Sequence, residues 1–457
     1  MATKYATISP ATGEELATFE AASDAEVLTA IAEANEQYRR WRGADIAERK
    51  AVLLKVASLY EERKDELARI ISIEMGKPVS QGMGEVQITA DIFRYYANNA
   101  EEFMRDQQLS PAGGGTAVVR TESIGVLLGI MPWNYPYYQV ARFAAPNLML
   151  GNTILLKHAA NCPQAALAMQ QIFDDAGLPA GAYTNLFATH AQISTMIADP
   201  RVQGISLTGS EAAGAIVAEQ AGRNLKKVVL ELGGSDPFIV LDDSNLEETV
   251  KAAVAGRMSN AGQACTSPKR FIVVDSVYDR FTELYKAGIA QIEPGDPLST
   301  ETRFGPVSTP QARAELLEQI NDAVEKGASL LNGGKAVDGP GAYLEPTLLA
   351  DLKPGMRAYG EELFGPVAQI YRVADADEAI ELANSSVYGL GAAVFGSDAA
   401  QTRYVAEKLE AGMVFINSNS NSEPDMPFGG VKRSGFGREL GPMGIEEFAN
   451  KKLIREF

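Results

Sequence analysis

The sequence predicts an α/β fold with two domains built on parallel sheets and a small additional β-arm. From residue 151 onward, short apolar strands alternate with helical segments, and a second set of the same kind runs from about residue 246 to 415. Repeated β-α-β units with short connections are typical of parallel sheets covered by helices. The length of 457 residues exceeds what one compact core holds, which suggests two or three domains.

The first part of the chain predicts helices followed by a break. Apolar residues recur at three- and four-residue steps over residues 24–105. The segment 107–115 contains Pro111 and three consecutive glycines, which interrupt the helical pattern. Strand-like runs follow at 117–120 and 124–130, and extended segments of this kind can belong to a β-arm rather than to the main sheet.

Strands and helices alternate between residues 151 and 231. The predicted strands are 153–156, 183–187, 204–207 and 227–230, and the predicted helices are 164–176, 190–198 and 211–221. In parallel sheets of this kind, ligands bind at the carboxyl ends of the strands. A ligand site is therefore expected at that edge of the sheet.

The second set of elements repeats this pattern. It opens with a helix whose apolar residues include Leu246, Val250 and Met258. The remaining predictions are strands at 271–274 and 392–395, a polar surface loop at 332–341, and a short C-terminal strand at 451–457.

Charge and composition exclude several functional classes. The chain has 41 basic and 59 acidic residues, a net charge of −18, so its surface repels phosphate backbones and anionic lipids. We expect no nucleic-acid partner and no membrane role, because no apolar run could span a bilayer and no secretory signal is visible. Cys162 and Cys265 are the only cysteines, which fits a reducing cytoplasm. Because the chain has only these two cysteines and two histidines, we do not expect a metal site.

Cys265 is the strongest candidate nucleophile. It lies in the sequence NAGQACTS, whose small residues could leave a thiol exposed beside backbone N–H groups. A thiolate attacks carbonyl carbon readily, and an electropositive setting would lower the pKa below its free value of about 8.5. The alternatives are a buried, inert cysteine and a protease-like pair with His158 or His190.

Two further residues suit chemistry at a carbonyl group. Glu231 ends an apolar strand, where loss of hydration would leave its carboxyl group partly protonated or ready to act as a base. Asn134, in the sequence PWNYP, could donate its amide N–H to an oxyanion. A salt-bridged structural glutamate and an ordinary turn asparagine are the alternatives.

The usual nucleotide fingerprints GxGxxG and GxxxxGK[ST] are absent from the sequence. Gly209 and Ser210 nevertheless join a strand to a helix and could present N–H groups and a hydroxyl to a phosphate. Ser210 could equally serve only as a helix cap. Lys157, at a strand end, could hydrogen-bond ribose hydroxyls or simply be solvated.

Together these motifs resemble the aldehyde dehydrogenase superfamily over essentially the whole chain. The most specific feature is Glu231-Leu-Gly-Gly, followed 34 residues later by Cys265 within Gly-Gln-x-Cys. The segments Glu362-Leu-Phe-Gly-Pro and Pro427-Phe-Gly-Gly match as well. The resemblance implies two Rossmann-like parallel-sheet domains and a β-arm that joins subunits into a homodimer or homotetramer. The implied boundaries are 1–107 and 126–231 for the cofactor-binding domain, 232–425 for the catalytic domain, and 108–125 and 440–457 for the oligomerisation arm.

The resemblance also implies a role for each site residue. Cys265 would attack the aldehyde, the Asn134 amide and the Cys265 N–H would hold the oxyanion, and Glu231 would activate water to hydrolyse the thioester. A CoA-acylating enzyme is less favoured because Glu231 supplies that hydrolytic base. The residues implied to bind the cofactor are Trp133, Lys157, Gly209, Ser210, Glu362 and Phe364.

The cofactor prediction rests on the segment Lys157-His158-Ala159-Ala160. Relatives that prefer NAD usually carry a glutamate at the position of Ala160. Without that acid, a 2′-phosphate is not repelled, and Lys157 with His158 could attract it. We expect NADP to be accepted and preferred, with NAD as the second cofactor.

Arg142 carries the substrate prediction. It lies eight residues after Asn134 and resembles the arginine that binds the distal carboxylate in succinate-semialdehyde dehydrogenases. Ser422 and Phe428 are further candidates for substrate contact. The implied reaction is NAD(P)-dependent oxidation of succinate semialdehyde to succinate. The alternatives are another ω-carboxy semialdehyde such as glutarate semialdehyde, a broad-specificity enzyme, a catalytically silent binding protein, and an Arg142 that only forms a helix salt bridge.

Overall fold

Two sheets of mainly parallel strands carry the fold, as the sequence predicts. In residues 4–457, which the computed structural model describes, one sheet has six strands and the other seven. Alternating helices connect the strands of both sheets. Within the same residues, none of the helices is long and apolar enough to cross a membrane.

A β-hairpin and four helices form the N-terminal part. Their bounds are β1 Tyr5–Ile8, β2 Glu15–Phe19, α1 Asp24–Trp41, α2 Ile46–Glu62, α3 Lys64–Met75 and α4 Val79–Phe103. The helical prediction for 24–105 is confirmed. A reciprocal pair of hydrogen bonds between Ser23 and Glu26 fixes the start of α1. The hairpin was not predicted, because two strands of four and five residues give too short a pattern.

The next segment alternates strands and helices. Its elements are β3 Gln107–Leu109, β4 Thr116–Ser123, β5 Val126–Met131, α5 Pro136–Leu150, β6 Thr153–His158, α6 Pro163–Asp175, β7 Tyr183–Asn185, α7 His190–Ala198, β8 Val202–Thr208, α8 Glu211–Arg223 and β9 Lys227–Glu231. The predicted strands and helices from residue 153 onward are confirmed, with β7 shorter than expected. Helix α5 was missed because all of its residues are buried, which removes the polar face that marks a helix in a sequence.

The second half supplies the larger sheet and the C-terminal segment. Its elements are β10 Pro237–Val240, α9 Leu246–Met258, β11 Arg270–Val274, α10 Asp275–Ala290, α11 Pro310–Glu325, β12 Ser329–Asn332, β13 Thr347–Ala350, α12 Arg357–Gly360, β14 Val367–Val373, α13 Ala376–Asn384, β15 Tyr388–Gly389, β16 Gly391–Phe395, α14 Ala399–Lys408, β17 Met413–Ile416, β18 Val431–Lys432, β19 Gly435–Phe436, α15 Gly441–Glu446 and β20 Ala449–Glu456. The predicted loop at 332–341 begins where β12 ends, and the C-terminal strand starts two residues earlier than predicted.

The six-stranded sheet brings the candidate residues to one edge. Its strand order is β19-β9-β8-β5-β6-β7, and all neighbours are parallel except β19 and β9. Register pairs Ile130 with both Lys157 and Leu207, and Thr208 with Glu231. The loops after β5 and β8 and the end of β9 therefore lie together at the carboxyl edge.

The C-terminal segment adds one strand to the six-stranded sheet and one to a separate three-stranded sheet. Strand β19 pairs with β9, so that Gly435 lies opposite Glu231. Strand β20 then joins β4 and β3 in an antiparallel three-stranded sheet. Of the two runs that could have formed the arm, β4 lies in this sheet and β5 lies inside the six-stranded one. That this sheet joins subunits stays a prediction, as do the domain boundaries.

Candidate active site

Cys265 lies where two cavities meet. The larger cavity, of about 650 Å³, is also lined by Arg142 and Phe428. The smaller, of about 240 Å³, is also lined by Glu231 and Phe364. A thiol at such a junction can be reached by an aldehyde from one cavity and faces a cofactor in the other.

An unusual backbone conformation presents this thiol. Asn260, Ala261 and Gly262 have φ angles of 50°, 51° and 73°, three consecutive residues in the left-handed region. For residues other than glycine, this region costs about 1–3 kcal/mol each. A Cβ at Gly262 would lie 2.3 Å from the carbonyl oxygen of Gly365, so this position requires glycine. The loop therefore packs tightly against the segment that contains Glu362.

The thiol is less acidic than the sequence suggested. Burial raises the pKa of Cys265 to about 12, although the charges of Arg142 and Lys269 lower it in part. The expectation that an electropositive loop lowers the pKa is thus wrong, because loss of hydration outweighs both cations. The resting thiol is protonated, and catalysis needs a base to receive its proton.

The Asn134 side chain is fixed at the same place. Its Oδ1 accepts a hydrogen bond from Gln139 at 3.1 Å, and its Nδ2 donates to the carbonyl oxygen of Gln263 at 3.0 Å. These two bonds orient the amide against the loop of Cys265. Within residues 4–457 the second N–H of Nδ2 has no partner, and it remains able to donate to an oxygen atom in the cavity.

Glu231, the last residue of β9, is 2% exposed. Neither of its carboxyl oxygens has a hydrogen-bond partner in the described part of the chain. Burial, together with the nearby charge of Glu439, raises its pKa well above the ordinary value. A Cβ at Gly429 would lie 2.8 Å from Glu231 Oε1, so the glycine of the Pro427-Phe-Gly-Gly segment leaves room for this acid.

Arg142 is buried beside the larger cavity. Its Nε lies 2.8 Å from Glu439 Oε2, and its guanidinium group lies 4.2 Å from the ring centroid of Phe428 and 4.8 Å from that of Tyr138. Nη1 is 3.4 Å from the Tyr138 hydroxyl, and Nη2 has no hydrogen-bond partner in the residues described. The salt bridge that the sequence left open as an alternative does form. It links Arg142 to the C-terminal segment rather than to its own helix.

Other polar residues complete this cavity. Ser422 and Ser259 both line it, as does Lys77. Lys77 is paired with buried Glu85 and donates to the backbone oxygen of Asn134 at 2.8 Å, which supports the loop of that residue. Both cations have a carboxylate partner, but in the residues described Arg142 also has an Nη2 atom without a hydrogen-bond partner, so it is the better candidate to bind an anion.

The smaller cavity has the features of a nucleotide site. It is lined by Trp133, Thr208, Gly209, Ser210, Glu362 and Phe364, among others. The buried hydroxyl of Thr208 has no partner in the described chain, and a Cβ at Gly233 would lie 2.3 Å from Glu362 Oε2. An unsatisfied buried donor and a glycine beside a carboxylate fit a ligand rich in hydroxyl and phosphate groups. No cluster of three or more His, Cys, Asp or Glu side chains in the described residues could hold a metal ion.

Two of the predicted cofactor contacts differ in detail. Ser210 Oγ accepts from the N–H of Ala213 and so caps α8, while the residue also lines the cavity. Lys157 reaches the same sheet edge but does not line this cavity, and its Nζ lies 5.9 Å from the ring centroid of Tyr5.

The expectation for His158 is wrong. This side chain is fully buried, its Nε2 lies 3.1 Å from the carbonyl oxygen of Pro136, and its Nδ1 accepts from the N–H of Ala159. Burial lowers its pKa to about 4, so it is neutral near pH 7. It cannot attract a 2′-phosphate, because it is neither charged nor accessible.

The chain matches the aldehyde dehydrogenase family model over residues 1–454. It belongs to the aldehyde dehydrogenase family. Among its relatives, a protein from Deinococcus radiodurans named succinate-semialdehyde dehydrogenase (NADP+) is 54% identical over 453 residues, which cover 99% of this chain and 95% of the relative. A protein of the same name from Mycobacterium avium is 45% identical, covering 98% and 96%.

A solved structure agrees with these relatives. Succinic semialdehyde dehydrogenase from Streptococcus pyogenes, in complex with NADP+ as the cofactor, has a TM-score of 0.97 to this chain at 46% identity, covering 98% of this chain and 99% of that one. The predicted family, fold class and enzyme class are thereby confirmed.

Within this aldehyde dehydrogenase, sequence reasoning missed three site residues. Glu439 pairs with Arg142, Tyr138 packs against the same guanidinium group, and Lys269 contacts the loop of Cys265. Tyr138 lies one helical turn before Arg142, a spacing that could have revealed it. Glu439 and Lys269 carried no local signal, since only the folded chain brings them to the site.

Proposed function

We propose that this aldehyde dehydrogenase oxidises succinate semialdehyde to succinate, with NADP+ as the preferred cofactor and NAD+ as the second. The observation that carries this proposal is the position of Cys265 between a nucleotide-like cavity and a cavity that contains the Arg142 guanidinium group. The relatives named above for succinate semialdehyde and NADP+ support it.

The first step forms a bond between Cys265 and the substrate. The thiol proton passes to Glu231, whose raised pKa suits it to receive a proton. The sulfur then attacks the aldehyde carbon, and the electrons of the C=O bond move to the oxygen. Asn134 Nδ2 and the Cys265 backbone N–H donate hydrogen bonds to that oxyanion.

The smaller cavity would hold the cofactor. A bound NADP+ would supply an acceptor for the hydride that the former aldehyde carbon loses. Glu362 would bind the ribose hydroxyls on the nicotinamide side, and Phe364, whose ring centroid lies 5.7 Å from that of Trp133, would pack against the nicotinamide ring. Gly209 and Ser210, directly before α8, would bind the pyrophosphate.

The last step releases the acid. Glu231 passes its first proton to solvent and then takes a proton from a water molecule. The water oxygen attacks the thioester carbon, the C–S bond breaks, and its electrons return to the sulfur of Cys265. The acyl group leaves Cys265 as a carboxylic acid, which ionises to the product carboxylate.

Arg142 recognises the distal carboxylate of the substrate. Because Glu439 occupies the Nε side of the guanidinium group, the terminal Nη1 and Nη2 atoms remain for a bidentate contact. The flanking rings of Tyr138 and Phe428 pack against the planar guanidinium group and hold it in place. Ser422 lies on the same cavity wall and donates a further hydrogen bond to the carboxylate.

Ala160 and Lys157 account for the cofactor preference. Position 160 lacks the carboxylate that would repel a 2′-phosphate, and Lys157 is the remaining basic side chain of this segment that could contact it. We further propose a cytoplasmic homodimer or homotetramer, joined through the sheet of β3, β4 and β20.

Initial-rate assays with purified enzyme test the proposal. Succinate semialdehyde, glutarate semialdehyde and uncharged butanal are each offered with NADP+ and with NAD+. We expect the highest kcat/KM for succinate semialdehyde with NADP+. Equal values for butanal and succinate semialdehyde would refute the substrate assignment, and a strong preference for NAD+ would refute the cofactor assignment.

A further inference from the structure

Lys269 is a fully buried lysine directly before β11, and no step of the reaction described above uses it. Its Nζ donates to the backbone oxygen of Cys265 at 2.7 Å and to that of Ala264 at 2.9 Å. The same nitrogen lies 3.3 Å from Glu362 Oε1. An ammonium group has three N–H donors, so the two carbonyl groups and the carboxylate account for all of them.

The carboxylate at the other end of this contact is also fixed. Glu362 Oε1 accepts from the N–H of Gly234 at 3.0 Å, and a Cβ at Gly234 would lie 2.9 Å from the backbone oxygen of Cys265. Gly234 therefore permits the Glu362 side chain and the nucleophile loop to approach each other. Lys269 is the charged group between them.

We propose that Lys269 is a positioning residue that links the loop of the nucleophile to the carboxylate that binds the cofactor ribose. It couples cofactor binding to the reactivity of Cys265. This inference rests on the role of Glu362 in the proposed function, but it concerns a side chain to which that mechanism gives no task.

The physical argument starts from what the loop would lose without the ammonium group. Two backbone carbonyl groups and a carboxylate would face one another without the ammonium group between them, which is unfavourable. Glu362 would then be held by the N–H of Gly234 without the second contact from Lys269, and would be less firmly fixed at the ribose position. The peptide of Ala264 and Cys265 would lose the contact that fixes the direction of the thiol.

The charge of Lys269 acts on the thiol as well. Burial raises the pKa of Cys265, Arg142 and Lys269 lower it, and Glu362 and Asp236 raise it. The titratable groups around this thiol are Arg142, Lys269, Glu362, Asp236, Tyr135 and Tyr138, together with Glu231, which lines the same cavity. When the ribose engages Glu362, the balance between that carboxylate and Lys269 changes, and the thiol responds.

Alkylation of Cys265 by iodoacetamide tests this coupling without any substrate. The rate is measured from pH 6 to 10 with and without NADP+, and peptide mass spectrometry separates Cys265 from buried Cys162. The variant Lys269→Met keeps the length of the side chain but has neither charge nor N–H groups. Lys269→Arg keeps both, and Lys226→Met is a matched control, because Lys226 lies outside the site and donates only to a backbone oxygen.

We expect Lys269→Met to lower the alkylation rate at pH 8 about tenfold, since one pH unit in the thiol titration corresponds to a factor of ten. NADP+ should no longer change that rate, and the Kd for NADP+ should rise about fivefold. Lys269→Arg should restore most of the coupling, and Lys226→Met should match the wild type. A folded Lys269→Met enzyme with the wild-type response to pH and to NADP+ would overturn the proposal.

A second variant keeps the inference testable if Lys269→Met fails to fold. Glu362→Gln leaves Lys269 in place and removes the carboxylate that raises the thiol pKa. Alkylation should then shift to lower pH and lose its response to NADP+. A full response to NADP+ in Glu362→Gln would also overturn the coupling. Failure of the proposed function would instead appear as absent turnover of succinate semialdehyde by the wild type, which none of these alkylation rates measures.

Discussion

Removal of the Arg142 charge tests the substrate assignment most sharply. Arg142→Ala alone would leave Glu439 buried without its ion-pair partner, so a loss of activity could reflect a damaged fold. The double variant Arg142→Met/Glu439→Gln removes both charges of the pair and keeps unbranched side chains at both positions. Because Arg142 also lowers the pKa of Cys265 and Glu439 raises that of Glu231, the ratio between a carboxylated and an uncharged aldehyde isolates the contact with the substrate.

The size of the effect follows from the contact that is lost. Removing one partner of a buried, hydrogen-bonded charge pair, here the guanidinium group that faces the substrate carboxylate, costs about 2–5 kcal/mol. At about 3 kcal/mol, kcat/KM for succinate semialdehyde falls about 150-fold, since each 1.4 kcal/mol is a factor of ten. Butanal has the same chain length without the carboxylate, so its kcat/KM reports only the altered reactivity of Cys265 and Glu231 and should fall far less.

The assay is the initial rate of NADPH formation, followed by the absorbance of the reduced nicotinamide, at saturating NADP+ and varied aldehyde. The single variant Glu439→Gln serves as the control, since it retains Arg142 and a neutral acceptor at Nε. It should keep the preference for the carboxylated substrate. If the double variant loses activity equally on both aldehydes, Arg142 does not read the carboxylate and the reasoning is wrong.

Three further predictions concern the remaining site residues. Asn134→Ala should lower kcat about 10²–10³-fold with little change in the Kd for NADP+, measured by fluorescence titration, because one oxyanion donor is lost. Ala160→Glu should move the ratio of kcat/KM for NADP+ over NAD+ towards NAD+ by at least about tenfold, since the new carboxylate repels the 2′-phosphate; an unchanged ratio would count against the proposed position of that phosphate. The rate of thioester hydrolysis should rise with pH and reach its plateau well above pH 4.5, because burial raises the pKa of Glu231 and only its ionised form accepts a proton from water; a hydrolysis rate that is independent of pH would exclude this role.

The fold and the candidate residues of the site could be predicted from the sequence, because both leave local patterns in it. The strand that contains Lys157 and the strand that ends at Glu231 are short apolar runs with turn residues after them. The motifs around Glu231 and Cys265 are likewise short, and their spacing carries the family resemblance. This is why the strands could be predicted, and a nucleophile and a base proposed, from the sequence.

Features that depend on distant parts of the chain were not predictable. Burial of His158 depends on how α5 packs against β6, and the pairing of Arg142 with Glu439 requires the C-terminal segment to return to α5. The pKa of Cys265 depends on the balance between burial and two cations, one of which, Lys269, had no motif. The sequence indicates the candidate residues, whereas their pKa values and ion pairs arise only from packing in the folded chain.

Cys265 should form a covalent thioester that Glu231 then helps to hydrolyse. The most direct measurement is mass spectrometry of the wild-type enzyme, mixed with succinate semialdehyde and NADP+ and quenched with acid within the first turnover. We expect a succinyl group on the peptide that contains Cys265, formed together with one equivalent of NADPH. NADPH formation with an unmodified Cys265, or with the adduct on another residue, would contradict it.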